Sequence, residues 1–357
     1  MKRAMKIIAT ILTIALAVSV ISSCAPKESD AGDAPVAGGI ALSGKDIRND
    51  PLKIAYITLS TAGIGNRMHE LAYEEQLSYY PNVDFQFFDG EYNPDRQRQI
   101  LNECVTQKYD AVIIEAMGTE ELNRAIVEAE EAGIPVITMN SGASAIHTLH
   151  IEGSDYEIGY KAAELLGEAI NGTGNAILLD VPAEQKAMGR MGTGFEEGLA
   201  AKFPNIKLLE KPGIANWSQE NANTAMRDFL TKYPNPGDIN IVYGASDDIA
   251  IGAIQAIEAA GRQDEGILVF GNMGYPTGLQ AVKNGSMFGT GFSDIYLEDT
   301  SSLTLALYFI SAGINSISAG YTKTPVISMY VPPITAENID SYIEVSHWKQ
   351  VPGVFTS

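Results

Sequence analysis

Histidine, cysteine and basic charge are all scarce in this chain, and each scarcity removes a class of chemistry. Four histidines occur in 357 residues. His147 and His150 stand three apart, but no Asp, Glu or Cys lies near them at metal-ligand spacing, so no metal is expected. Lys and Arg number 24 against 44 Asp and Glu, a formal charge of −20. That balance argues against nucleic acid and against a broad contact with anionic lipid. There is no Gly-x-Ser-x-Gly elbow and no P-loop. Gly63-Ile-Gly65 follows the first apolar run, but Met68 stands where a dinucleotide fingerprint needs its third glycine. Asp247-Asp248 reads as a pair of helix-start carboxylates rather than an acid–base couple. No nucleophile, base and orienting group occur together, so neither catalysis nor a cofactor is expected.

What is present begins with the compartment. Lys2, Arg3 and Lys6 precede an uncharged apolar run from Ile7 to Ile21. At roughly 15 residues that run is too short to span a bilayer and has the length of a signal-peptide core. It ends in Ile21-Ser22-Ser23-Cys24, which resembles a bacterial lipobox. Residues 1–23 are therefore expected to be a lipoprotein signal, with Cys24 lipidated on the outer face of the cytoplasmic membrane. Residues 24–50, rich in Ala, Gly, Ser, Asp and Pro, read as a flexible tether. The second cysteine, Cys104, is then alone. It lies between Leu101 and Val105 on an amphipathic helix, where a buried, inert thiol is expected.

The body from Pro51 onward is long enough for two lobes of ordinary size. Short β-branched runs alternate with helical patterns. Strands are expected at 53–60, 83–89, 111–115, 135–140, 176–181, 206–210, 239–243, 267–270, 287–292 and 325–331. Most lack polar alternation, as parallel strands buried on both faces do. Asn93-Pro94 is a helix-start signal ahead of a helix over 95–108. A second helix is expected over 119–132, ended by Gly133. This order gives an α/β fold with parallel sheets covered by helices.

One internal echo points to two lobes. Ile126 to Gly133 leads into Ile134-Pro-Val-Ile-Thr-Met-Asn140. Ile254 to Gly261 leads, after a short loop, into Ile267-Leu-Val-Phe-Gly-Asn272. Each half carries a helix, a glycine cap and a buried strand ending in Asn. Ligands of open α/β sheets sit beyond the carboxyl ends of the strands. Two such edges face to face make a cleft.

Several strand-to-loop junctions carry a wider likeness: Lys53-Ile-Ala-Tyr-Ile57, Tyr109-Asp-Ala-Val-Ile-Ile114, Glu131-Ala-Gly-Ile-Pro-Val-Ile-Thr138, Gly194-Phe-Glu-Glu-Gly-Leu199, the run from Ala245 to Ile257 and the run from Val269 to Gly285. From about Lys53 to Asn338 the chain resembles the type I periplasmic binding proteins of sugar ABC transporters, the ribose- and galactose-binding group. The resemblance implies two Rossmann-like lobes joined by a three-segment hinge, with crossings near Ser154, Ser293 and Tyr321–Thr324. The N-terminal lobe would comprise 51–154 plus 294–322, and the C-terminal lobe 155–293 plus 323–357. It implies capture of a monosaccharide or related polyol and delivery to an ABC permease, by a monomer. The same closed form presented to a membrane receptor or kinase is the alternative, as is a non-carbohydrate solute. A repressor of this fold is disfavoured, since a signal segment stands in place of a helix-turn-helix.

Carried over position by position, the resemblance assigns ligand-facing roles to Ser60, Asn66 and Arg67 after the first strand, and to Glu115 where Asn is usual. Asn140 and Ser141 stand where ribose binders have an Asp-Arg pair. Trp217 matches an aromatic that lies against the sugar ring. Arg190 lies one residue from a ligand-binding Arg position. Ser246, before Asp247, stands where Asn is usual. Asn272 adjoins Met273, which replaces a carboxylate. Ser293, before Asp294, stands where Asn or Gln is usual. Arg67 and Arg190 are the candidates to meet an acidic ligand group or to pair with Glu115. Each assignment has a plainer alternative: packing for Trp217, turn formation for Asn140 and Asn272, a surface charge for Arg67, a solvated strand end for Glu115, an N-cap for Asp247.

Overall fold

The computed structural model describes residues 44–61, 65–183 and 190–351. The expected signal segment, Cys24 and the first part of the tether lie outside them. Residues 44–50, expected to end the tether, are instead held against the body. The Lys45 amide donates to the Ile310 carbonyl, the Lys45 ammonium pairs with Asp110 at 2.6 Å, and Ile47 packs on the core.

The first sheet takes β1 (Leu52–Thr58), β2 (Val83–Asp89), β3 (Ala111–Ile114), β4 (Val136–Met139), β5 (Leu149–Gly153) and β11 (Val326–Met329), in the order β11-β5-β4-β3-β1-β2. All its pairings are parallel. Period two decides which core each residue joins. Leu52, Ile54 and Tyr56 of β1 enter one apolar cluster, while Ala55 and Ile57 enter the cluster on the opposite face. The first cluster is closed by α1 (Gly65–Leu77) and α9 (Ile295–Ala312), and the second by α2 (Pro94–Thr106) and α3 (Asn123–Glu131). Asn93 caps α2 through its side-chain oxygen, which accepts from the amides of Asp95 and Arg96. Cys104 of α2 is fully buried, and that burial pushes its thiol up to about 12. It is inert as a nucleophile.

The second sheet takes β6 (Gly174–Leu179), β7 (Ile206–Glu210), β8 (Ile241–Gly244), β9 (Leu268–Met273), β10 (Gly289–Phe292) and β12 (Pro333–Thr335), in the order β12-β10-β9-β8-β6-β7. Around it lie α4 (Asp155–Ala169), α5 (Met191–Lys202), α6 (Gln219–Lys232), α7 (Asp247–Ala259), α8 (Pro276–Lys283) and α10 (Ile339–Val345). Four pairings are parallel, and β12 runs antiparallel to β10.

Three expectations change. The third crossing moves from Tyr321–Thr324 to Tyr330–Pro332, because β11 pairs in parallel with β5 and so belongs to the first lobe. Two strands escaped the sequence reading, β5 and β12. β12 has only three residues and begins with Pro, which an edge strand tolerates. Finally, α3 starts at Asn123 and not Thr119, since residues 119–122 form bends and turns.

The crossings are bonded to one another. Ser154 donates its amide to the Met329 carbonyl at 2.7 Å and accepts the Val331 amide on Oγ at 2.9 Å. Phe292 donates its amide to Pro332 at 2.9 Å.

Candidate ligand-binding cleft

The carboxyl ends of both sheets open onto one cavity of about 260 Å³. The first lobe contributes Leu59 after β1, His69 on α1, Tyr92 after β2, Glu115 after β3, and Asn140 and Ser141 after β4. The crossings contribute Asp155, Ser293, Ile295 and Glu298. The second lobe contributes Asn216 and Trp217 from a single 3-10 turn, Ser246 and Asp248 at the start of α7, Met273 at the end of β9 and Tyr275 just after it.

Glu115 is the best-fixed group of the first lobe. It is 6% exposed. Its Oε2 accepts from the Thr58 hydroxyl at 2.8 Å and the Leu59 amide at 3.2 Å, and its Oε1 from the Asn140 amide at 3.2 Å. His69 stands behind it, with Nε2 3.8 Å from Glu115 and Nδ1 2.7 Å from Asp299. Burial pulls the His69 imidazole down, but Asp299 and Glu115 outweigh it and hold the group up to about 9. At neutral pH it is a cation.

The carboxyls at the crossings are less well compensated. Glu298 is 1% exposed, and the Ser293 hydroxyl is its hydrogen-bond donor, at 3.2 Å. Burial, then Asp299 and Asp155, push it up to about 8. Burial and Glu152 raise Asp155 to about 7. Burial also raises Asp248.

Of the residues singled out in the sequence, the cavity brings together Glu115, Asn140, Ser141, Trp217, Ser246 and Ser293. The others are placed elsewhere. Asn66 and Arg67 bond to Glu70 along α1, and Arg67 also nears Glu74 at 3.8 Å. Arg190 faces Glu152 across the lobes at 3.6 Å and is largely exposed. Ser60 is half-buried beside the cavity but does not line it. Asp294 caps α9 by accepting from the Leu297 amide at 3.1 Å.

Asp247 and Asn272 are structural. Asp247 is fully buried, accepts from the Thr290 hydroxyl at 2.6 Å and the Tyr275 amide at 2.7 Å, and so ties α7 to β10 and to the turn after β9. Burial pushes it up to about 8 against those bonds. The N-cap of α7 is its neighbour Ser246, which accepts from the Ile249 amide. Asn272 lies inside β9 and donates to the Tyr243 hydroxyl and the Gly244 carbonyl, both at 2.9 Å. The echo between the halves is therefore out by one. Asn140, at φ 57°, finds its counterpart in Met273, at φ 94°, since each is the left-handed residue that turns the chain into the cavity.

Sequence reasoning missed His69, Tyr92, Asp155, Asn216, Asp248, Tyr275 and Glu298. Most sit one or two residues into a helix or turn, where spacing alone gives no sign of which side faces the cavity. The C-terminal segment adds a buttress. Trp348 is 2% exposed and meets Tyr275 edge-on at 6.0 Å, while His347 stacks on Tyr296 of α9 at 3.6 Å. His147 and His150 share the Thr138 hydroxyl at 2.7 and 2.8 Å. Burial pulls His147 down to about 4, so it stays neutral. Among the described residues no cluster of His, Cys, Asp or Glu has metal-holding geometry.

Two α/β lobes joined by three crossings over a small cavity with aromatic walls and a few polar groups define a type I bilobal binding protein. A family model for the periplasmic binding protein domain matches residues 52–313, and the chain belongs to that family. It is a family of solute-binding proteins that work outside the cytoplasm. Among curated relatives, the chain is similar to a xylitol-binding protein of Mycolicibacterium smegmatis, 27% identical over 74% of this chain and 72% of that protein. A fructose import binding protein of Bifidobacterium longum is 29% identical over 56% of this chain and 63% of its own length. The ribose import binding protein of Escherichia coli is 27% identical over 57% of this chain and 66% of its own length. A solved solute-binding protein of Bacillus halodurans with bound myo-inositol shares the fold at a TM-score of 0.71 and 21% identity, over 82% of this chain and 97% of that one. No helix among the described residues is long and apolar enough to cross a membrane.

Proposed function

We propose that this protein is the solute receptor of an ABC importer, and that it captures a sugar or polyol between its lobes and hands it to a membrane permease. The observation that carries this reading is the cavity. At about 260 Å³ it lies below the roughly 300–1,000 Å³ usual for drug-sized ligands. It pairs an apolar aromatic wall, Trp217 and Tyr275, with acceptors and donors opposite, Glu115 and Asn140. Hydroxyl groups need such partners, because a buried polar group left unpaired costs roughly 1–3 kcal/mol. The C–H face of a small ring needs the aromatic wall. Relatives named for xylitol, fructose and ribose point the same way. Closure would be a rotation about the three crossings. The apolar run before Cys24 supports a lipid anchor, and the protein would act as a monomer.

A thermal-shift screen of the purified protein against pentoses, hexoses, polyols and inositols tests this. A ligand at a hundredfold its Kd adds about 2.7 kcal/mol of stability. Trp217→Ala should weaken the hit by about 10–100-fold, the roughly 1.5–3 kcal/mol of one large apolar contact. No response to any compound of the screen would overturn the reading.

A further inference from the structure

The sign of the charge around the cavity narrows the ligand. Four carboxyl groups line it: Glu115 from the first lobe, Asp248 from the second, and Asp155 and Glu298 from the crossings. Among the described residues no Lys or Arg does so. Arg67 and Arg190, the candidates to meet an anion, are turned to Glu70 and Glu152. His69 is the one cationic group of the described lining, and Asp299, fully buried at 2.7 Å, already takes up its charge. Among the described residues, buried Glu298 has a single hydroxyl donor and no cation within 4 Å, His69 acting on it only from a longer distance. The side-chain carboxyls of Asp155 and Asp248 have no hydrogen-bond or ion-pair partner among the described residues, Arg190 acting on Asp155 only from a longer distance.

Closing the lobes would strip water from these groups. A buried carboxylate is tolerated when it is paired or protonated. A neutral polyol offers hydroxyl donors but no charge. An ammonium offers three donors and the missing positive charge together. Burial and then the neighbouring carboxyls raise Asp155 and Glu298 to about 7 and about 8, and the cations within electrostatic reach, Arg190 and His69, offset this only in part.

Resting on the solute-capture reading, we infer that the ligand carries an amino group, as an amino sugar or amino polyol, and that carboxylate-bearing sugars are rejected. Calorimetric titration of the full chain at pH 7 tests this with matched probes: myo-inositol against a monoamino-deoxy-inositol, sorbitol against 1-amino-1-deoxysorbitol, and glucuronate as the anion. In at least one pair the amine should bind about tenfold tighter than its hydroxyl parent, the factor that 1.4 kcal/mol produces, and glucuronate should give no heat. Glu298→Gln should bring the amine-to-hydroxyl ratio towards one. Asp248→Asn, on the opposite lobe, makes the same test if Glu298→Gln does not fold. If the parents bind as well as the amines or better, the inference falls and solute capture stands. If neither parents nor amines bind, the inference falls, and solute capture stands or falls on the wider thermal-shift screen.

Discussion

The two lobes share one plan and divide the work of the cleft. Their sheets correspond strand for strand, β2-β1-β3-β4-β5 against β7-β6-β8-β9-β10, and differ in the sixth strand, parallel in the first lobe and antiparallel in the second. The first lobe supplies the best-fixed charge, with Glu115 held by three donors and backed by His69. The second sets the shape, with Trp217, Tyr275 and Met273. A buried carboxylate serves each lobe differently. Glu115 faces the cavity, whereas Asp247 faces its own lobe and fastens it. The fold thus fixes where a loop emerges, and the residues just beyond each strand decide what the loop does.

The largest expected effect breaks the symmetry between the walls. Tyr275 is backed by an aromatic ring from far along the chain, Trp348, whereas Glu115 is backed by a charged imidazole, His69. Trp348→Ala should cost about 3 kcal/mol and weaken ligand binding as well, since Tyr275 loses its support. Urea denaturation and calorimetry read both. A loss of stability with unchanged affinity would mean that Tyr275 is held by its own lobe.

Next comes the pair of carboxylates. Asp247→Ala leaves the Tyr275 amide without its acceptor and the Thr290 hydroxyl with only the longer bond to the Gly291 carbonyl at 3.2 Å, and should cost about 2 kcal/mol of stability. Glu115→Gln keeps a side chain that can still accept from Thr58, so its effect should fall on affinity more than on the urea midpoint. The reverse pattern would show that the roles had been assigned to the wrong lobes.

That division was only partly legible in the sequence. Strand positions were, because a parallel strand buried on both faces is an apolar run whatever surrounds it. β5 and β11 show the limit. Nothing local in Val326–Met329, an exposed edge strand, says which sheet it joins, so the expected third crossing falls several residues before the observed one. The site shows the same limit at finer grain. Asn140 was found because its junction has a counterpart in the resemblance. The resemblance puts Met273 in place of a carboxylate and Asn272 beside it, and φ, not residue type, decides which of the two reaches the cavity. His69 and Glu298 lie inside helices, and no period distinguishes a helix face towards a core from one towards a cleft.

A smaller effect concerns pH. Asp155, Asp247 and Glu298 have folded values of about 7, 8 and 8, above their unfolded ones, and His69 is raised to about 9. In each case the folded state holds a proton that the unfolded state releases at lower pH. Stability therefore falls as pH rises, from about 4 upward for the acids and from about 6.5 upward for His69, until the folded values are passed. Urea midpoints should be higher at pH 6 than at pH 9, and Glu298→Gln should flatten the slope. A midpoint that rises over that interval would contradict the raised values at the crossings.

The smallest effect is expected at Arg190, and it tests the comparison from the surface. Arg190 is the second lobe's contribution to a pair with Glu152 of the first, 3.6 Å apart and 58% exposed at the arginine. Exposed pairs of this geometry contribute about 0–1 kcal/mol. Arg190→Ala should therefore shift stability by less than about 0.5 kcal/mol and leave ligand affinity within about twofold. A large loss of affinity would mean that Arg190 swings from Glu152 into the cavity when the lobes close, and the acidic character of the liganded cleft would have to be reconsidered with it.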